Sequence, residues 1–341
     1  LGYGKGDIQN PPRFGTTPTQ SCSNITKQQK LLKLEETHIM PNTSAPDLKP
    51  LGKTGILVSS LGWGMWRFAG TPLLDARKLV ETVFETGINF FDTADIYGFQ
   101  GTHGFGDAEA LLGEVFKEAP SLRTSMVIAS KGGITPPTPY NSSYAYLIEA
   151  CEASLRRLNT DYLDLWQIHR PDLLTHPAEI AKAVDKLLQA GKIRSFGVSN
   201  YTTAQTRALA AHLSTDIASF QPEFSPLALD ALTDGTLDLA MELGASVLAW
   251  SPLAGGRLAK NGEDARSKAV IAALDSVAAV HDVSRTSVAY AWVKAHPSRP
   301  IALIGSQNPG RILETKEVST FELTPTEWYQ ILVASRGAPM P

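Results

Sequence analysis

A chain of 341 residues with 43% hydrophobic and 19% charged side chains can bury a large core, and its length means either two domains or one barrel, the architecture that runs past about 250 residues undivided. The formal net charge of −3, with no dense Lys/Arg block, gives no footprint for nucleic acid or an anionic membrane, so a small-molecule partner is expected. Two cysteines, Cys22 and Cys151, exclude a disulfide framework, and seven histidines without shared metal-ligand spacing give no metal site. No apolar run is long enough to span a membrane and the N-terminus lacks the apolar segment of a secretory signal; a cytoplasmic protein, monomeric or weakly self-associating, is expected.

Residues 1–45 are rich in Gly, Pro, Thr, Ser, Asn and Gln with no apolar period, which predicts a disordered tail. Met40 reads as a native start, which makes the residues before it an upstream leader. From Lys49 the pattern changes. Leu51-Gly-Lys-Thr-Gly55 reads as a hairpin turn, Ile56 to Leu61 as its second arm or the first strand of the fold, and Gly62 to Trp66 as a strand end and loop. Asp75 reads as the N-cap of a helix with Ala76, Leu79, Val80, Val83 and Phe84 on one face, ended by Gly87.

Strands and helices then alternate. Strands are predicted from Asn89, over Met126 to Lys131, Tyr162 to His169, Ile193 to Val198, Ile217 to Gln221, Ser246 to Trp250 and Ile301 to Ile304. Helical patterns between them open near Asp107, Ser143, Pro177, Thr203, Thr233, Lys268 and Ser284, and a last one opens at Asn308-Pro309. Counting the run after Ile56 there are eight strands, each too continuously apolar for a half-exposed sheet. Eight βα units with short connections, and no Gly-x-Gly-x-x-Gly turn, favour a closed (β/α)8 TIM barrel over a doubly wound sheet. The expected organisation is a tail over 1–45, a barrel domain over 46–336 opened by a β-hairpin, and a short tail over 337–341.

Three consecutive strands deliver a polar residue at or just past their ends: Asp92 with Tyr97 in the following turn, then Lys131, then His169. Singly these read as a turn or cap aspartate, a rim aromatic, a solvated lysine and a core imidazole. On adjacent strand ends of a barrel they converge. A phenol with an ordinary pKa of about 10 parts with its proton reluctantly, a neighbouring ammonium should lower that value, and Asp92 is the natural counter-ion for Lys131. His169 then binds the substrate oxygen or completes a proton relay. Tyr97 becomes a general acid aimed at an oxygen gaining negative charge, as hydride delivery to a carbonyl requires, and a nicotinamide is implied because no protein group donates hydride.

At this point Gly87-Ile-Asn-Phe-Phe-Asp92-Thr-Ala-Asp-Ile-Tyr97-Gly98, Lys131-Gly132, Gln167-Ile-His169, Gly197-Val-Ser-Asn-Tyr201 and Ala249-Trp-Ser-Pro-Leu253 together resemble the aldo-keto reductase superfamily, over roughly Lys49 to Thr320. His169-Arg-Pro-Asp172 is similar to a bacterial branch of these NAD(P)-linked oxidoreductases. The resemblance implies that Asp92, Tyr97, Lys131 and His169 are the catalytic four, and that Ser199, Asn200 and Gln221 bind the nicotinamide carboxamide with Trp250 stacked on the ring. It implies a pyrophosphate loop of Ser251, Pro252, Leu253, Gly255, Gly256, Arg257 and Leu258. Ser306, Gln307, Arg311, Glu314 and Thr315 fall at the adenosine end, and Met65, Asp92 and Gly305 complete the implied cofactor contacts. Gln307 stands where NADPH-preferring relatives carry Lys or Arg, so a 2′-phosphate would rest on Ser306, Arg311 and the free N–H groups of the helix opened at Asn308-Pro309; NADPH is expected over NADH by a modest margin.

For the substrate, an aldehyde or ketone, Trp66, Tyr97, His169 and Arg170 are the candidate contacts. Trp63, Trp66, Phe68, Phe99 and Phe105 read equally as an apolar rim or as packing under long loops, and Arg170 with Asp172 also reads as a local ion pair. Two readings from other classes stay beside the reductase: a nucleotide-holding regulatory module of the same fold with slow turnover, and a lyase that uses Lys131 as a Schiff base.

Overall fold

Period-2 alternation decides which side chains fill the barrel and which face its helices. In the computed structural model, which describes residues 47–101 and 104–341, Phe90, Val127, Ala129, Leu165, Ala218, Leu248, Ile301 and Leu303 form one buried cluster. Their strand neighbours Phe91, Ile128, Trp166, Val247, Ala302 and Ile304 belong to a second, larger one that includes the helices. Continuing the inward row by two residues at a time from Phe90, Val127 and Leu165 reaches Asp92, Lys131 and His169 at the top of their strands. The same alternation that packs the core therefore delivers the polar residues to the mouth.

The strands are β1 (Leu48–Pro50), β2 (Leu57–Ser59), β3 (Leu61–Gly64), β4 (Phe90–Asp92), β5 (Val127–Gly132), β6 (Ile134–Thr135), β7 (Thr138–Tyr140), β8 (Leu165–Ile168), β9 (Phe196–Ser199), β10 (Ile217–Gln221), β11 (Ser246–Ala249) and β12 (Ile301–Ile304). Eight of them close into a parallel barrel in the order β10-β11-β12-β3-β4-β5-β8-β9. The expected TIM barrel is what forms.

Its first strand is not the run after Ile56. That run is β2, the second arm of the hairpin with β1, and the barrel begins at Leu61–Gly64, which the sequence reading had as a strand end and loop. The hairpin plugs the end of the barrel opposite the mouth where Asp92, Lys131 and His169 lie: Leu51 and Val58 are fully buried in the interior cluster. Gly52 makes this approach, at φ 55° and so close to β10 that a Cβ would lie 2.6 Å from the Ala218 carbonyl oxygen.

Helix boundaries follow the expected periods with local shifts. The first helix, Leu73–Glu85, begins two residues before Asp75, which lies in its first turn where a carboxylate favours the helix dipole; Pro72 holds the cap position. Three elements escaped the sequence reading: the short helix Ser121–Ser125, the hairpin of β6 and β7, and a C-terminal helix, Pro325–Arg336. The last was readable, since Thr324 and Glu327 form a reciprocal capping box. It is clamped by Trp292 and Trp328, which stack at 4.9 Å while each indole N–H donates 3.0 Å to the other's carbonyl.

Cys151 is buried, and Cys22 with the rest of the predicted tail lies outside the described residues. Among the described residues no helix is long and apolar enough to cross a membrane, and no group of His, Cys, Asp and Glu is spaced to hold a metal ion.

Candidate active site

Lys131 organises the mouth. Its Nζ, wholly buried, lies 2.6 Å from Asp92 Oδ2, 2.8 Å from the Thr93 carbonyl and 3.2 Å from Tyr97 Oη. An ammonium is a donor with three protons and no lone pair, so all three contacts accept from it. The Tyr97 oxygen is therefore an acceptor toward Lys131, and its own proton is free to point into the cavity.

The charge balance differs in one respect from expectation. Lys131 was expected to pull the Tyr97 phenol below its ordinary value, but the net shift is upward: burial dominates, Lys131 opposes it, and Asp92 cancels part of that opposition. A neutralised ion pair exerts little field on a buried phenol. Burial likewise pulls Lys131 toward its neutral form, yet Asp92 and Tyr97 outweigh it and the ammonium is held above its ordinary range. Tyr97 thus stays protonated and Lys131 charged at neutral pH.

His169 closes the other side. Its ring lies edge-on to Tyr97 at 5.8 Å, and its backbone N–H donates to the Gly132 carbonyl, which ties the end of β8 to the end of β5. Burial first, then the positive charges of Lys131 and Arg170, hold the imidazole well below its usual value, so it is neutral. Nδ1 is buried with no partner among the described residues, and a buried lone pair costs less than a buried unpaired N–H, so the proton is assigned to Nε2. Two neutral donors, Tyr97 Oη and His169 Nε2, face one space.

That space is the end of an elongated cavity of about 690 Å³. From Asp92, Tyr97 and His169 it runs past Ser199, Asn200, Gln221 and Trp250, along Ser251, Pro252, Leu253, Gly255 and Gly256, to Gly305, Ser306, Gln307 and Arg311. Met65, Leu258 and Thr315 are buried off its wall, and Arg257 and Glu314 are exposed without lining it; Arg257 turns instead toward Asp264, at 4.0 Å.

The middle of the cavity is a hydrogen-bonded wall. Gln221 Nε2 donates 2.8 Å to Asp92 Oδ1, which leaves the Gln221 amide oxygen for a ligand. Asn200, at φ 59°, spends both amide protons on the His169 carbonyl and Ser199 Oγ, and its oxygen accepts from Trp250 Nε1 at 3.0 Å. Its role is thus first to aim Trp250, and only a lone pair remains for a carboxamide. Ser199 Oγ in turn donates to the Gln221 carbonyl.

At the far end the expected helix N-terminus is weak. Pro309 has no N–H, Arg311 N is taken by the Asn308 side chain, and the helix is only Pro309–Leu313. Side chains carry that end instead. Both amide atoms of Gln307 are buried and without partner, which marks a place for a ligand's donors and acceptors. Lys260, which the sequence reading missed because it follows the glycine loop by several residues, lines the cavity with Arg311.

The aromatic rim resolves residue by residue. Trp63 and Phe68 are fully buried and pack edge-on at 5.4 Å, and the Trp63 indole N–H holds the Ser306 carbonyl at 2.9 Å. Trp66 is 61% exposed, lines the cavity and meets Tyr97 edge-on at 5.0 Å. Phe99 and Phe105 contact each other away from the cavity wall. Arg170 and Asp172 do not pair: Asp172 accepts from Ser142 N, Leu174 N and Thr175 Oγ1, while Arg170 sits 5.9 Å over Trp250. Loop geometry that no spacing reveals separates them.

A barrel with Asp, Tyr, Lys and His gathered at the C-terminal ends of its strands, opening into a long cavity, suits nicotinamide-linked carbonyl chemistry, and residues 60–334 match the aldo/keto reductase family model: the chain belongs to that family. It is thus an oxidoreductase acting on carbonyl or alcohol groups. It is 52% identical over 298 residues to a 6-dehydroglucose reductase of Novosphingobium aromaticivorans, covering 87% of this chain and 98% of that one. A 6-dehydroglucose reductase of Agrobacterium fabrum is 33% identical over 82% of this chain and 95% of its own length. Among solved structures, the glycerol dehydrogenase of Gluconobacter oxydans superposes with a TM-score of 0.75 at 26% identity, over 88% of this chain and 98% of that one.

Proposed function

We propose that the protein reduces the aldehyde of an oxidised hexose, of the 6-dehydroglucose type, to the alcohol, with NADPH as the preferred cofactor and Tyr97 as the proton donor. The observation that carries the chemistry is the Lys131 ammonium bridging Asp92 and Tyr97 at the floor of the cavity. The likeness to two 6-dehydroglucose reductases carries the substrate class.

The residues present fit a dinucleotide. Gln307's unpartnered amide suits the adenosine end, Lys260 and Arg311 suit phosphate, and the backbone at Gly255 and Gly256 faces open space where no side chain intrudes. When bound, the nicotinamide supplies the hydride. The chain's own part is to hold the carbonyl oxygen between Tyr97 Oη and His169 Nε2 and to release the phenol proton as charge builds there. Lys131 then stabilises the phenolate left behind, and Asp92 keeps Lys131 charged. His169 donates as the neutral imidazole, because burial, Lys131 and Arg170 all disfavour the imidazolium.

Trp66 and Arg170 support a polyhydroxylated substrate. A flat, exposed indole beside Tyr97 suits the C–H face of a sugar, and the Arg170 guanidinium offers several donors in one plane to hydroxyl groups. The reading carries with it a cytoplasmic enzyme whose partner is a small carbonyl compound. Following NADPH oxidation with 6-dehydroglucose, glyceraldehyde and a simple apolar aldehyde tests it: the hexose aldehyde should have the highest kcat/KM. Turnover of none of them, with NADPH still bound, would support the regulatory module instead.

A further inference from the structure

Asp95 lies between Asp92 and Tyr97 in the turn after β4, yet it does not line the cavity that those two face. It is fully buried, both carboxyl oxygens lack a partner among the described residues, and its backbone N–H donates 3.0 Å to the Lys131 carbonyl. It is also the odd member of a buried charge cluster. Asp92 has Lys131 at 2.6 Å. Glu109, fully buried on helix Asp107–Glu118, has Arg157 of helix Tyr144–Leu158 at 2.7 Å and accepts from Ser130 Oγ at 2.5 Å. Three carboxyl groups thus share two cations, both already engaged at short range by others. A carboxylate that no cation pairs at short range is costly to bury, so the cluster reaches neutrality by keeping one proton, and Asp95 is the member that no described cation or side chain engages at short range.

We propose that Asp95 is a positioning residue for Tyr97: it carries the cluster's one spare proton at neutral pH, and on releasing it at alkaline pH it holds Tyr97 in the protonated form that reduces a carbonyl, against the phenolate that alcohol oxidation needs. The neighbours that face it fit this. Burial and then Glu109 push its carboxyl well above the usual range, while Arg157, the neighbouring Ile96 backbone N–H and Lys131 pull the other way. Its charge acts in turn on Tyr97 and on Tyr146 of helix Tyr144–Leu158, raising both phenols. Ionised Asp95 would leave a net negative charge around Lys131, so a phenolate at Tyr97 would form only at still higher pH. Reduction, which starts from the phenol, is untouched by the change.

The proposal rests on Tyr97 as the acid–base group, and the test separates the two. In the wild type, infrared difference spectroscopy between neutral and alkaline pH should show a buried carboxylic acid that loses its proton, and Asp95→Asn should remove that signal. Alcohol oxidation with NADP⁺, followed from neutral to about pH 10, should rise at lower pH in Asp95→Asn than in the wild type, while NADPH-linked reduction at neutral pH stays within about twofold. A signal that persists in Asp95→Asn, or its absence from the wild type, overturns the proposal. So does a loss that is uniform across pH in both directions, which is what a merely structural aspartate would give. Tyr97→Phe reads the other premise: if it keeps wild-type reduction, the acid has been misassigned, whatever the infrared signal shows.

Discussion

Gln221 Nε2 donates to Asp92 Oδ1 at 2.8 Å, through the oxygen that does not face Lys131, so one side chain joins the Asp92–Lys131 ion pair to the wall of the cavity. Asp92 is 2% exposed and has no solvent to replace that donor. Gln221→Leu should therefore lower the stability of the ligand-free protein by roughly 1–3 kcal/mol, the cost of leaving a buried acceptor unsatisfied, and weaken cofactor binding at the same time. Chemical denaturation and a cofactor titration measure the two. An unchanged denaturation midpoint would show that Asp92 does not depend on this bond.

If Tyr97 is the acid proposed above, Tyr97→Phe should remove nearly all carbonyl reduction, a loss of about 10² or more in kcat, with NADPH affinity little changed, because the lost hydroxyl would act on the developing alkoxide and not on the cofactor. It also leaves one Lys131 proton without its acceptor at 3.2 Å. Retention of more than about a tenth of wild-type kcat would mean that another group delivers the proton.

Cofactor preference should follow the cations at the far end of the cavity. Arg311→Ala and Lys260→Ala should each narrow the preference for NADPH over NADH, by about tenfold to a hundredfold where a charge-assisted bond of roughly 1.5–3 kcal/mol is lost, and Gln307→Lys should widen it. Quenching of tryptophan fluorescence on titration with each reduced cofactor reports the constants, since Trp250 lines the cavity. Tighter binding of NADH by the unmodified protein would overturn the assignment of both cations.

The neutral state of His169 has a consequence for acid stability. Its folded value lies well below the ordinary 6.5, chiefly through burial and then Lys131 and Arg170. Below that ordinary value the unfolded chain takes up a proton that the folded one refuses, so the contribution of this group falls progressively as pH drops below the ordinary value. His169→Asn should flatten the loss of stability below neutrality, read from denaturation midpoints at a series of pH values. Reduction by the wild type should show no loss near the ordinary imidazole range. A kcat/KM that falls there would mean that His169 titrates unshifted.

The barrel and the convergence of its four polar residues were legible in the linear sequence because both depend on short-range periodicity. Apolar runs of strand length fix the sheet, a two-residue period fixes which side chains point inward, and the resulting row ends on Asp92, Lys131 and His169. What only the tertiary structure decided are the contacts between residues far apart in the chain. Pairing across the sheet sent the run after Ile56 to a plug under the barrel and made Leu61–Gly64 the first strand. Packing buried Trp63 behind Ser306 and left Trp66 in the cavity, although the two stand three residues apart in one loop-like stretch. The protonation of Tyr97 likewise depends first on its own burial and then on how far Asp92 offsets the pull of Lys131. The pairing of Glu109 depends in the same way on Arg157 arriving from a distant helix, while no described side chain bonds the Asp95 carboxyl. Charge compensation is settled by three-dimensional neighbours, and no spacing along the chain records it.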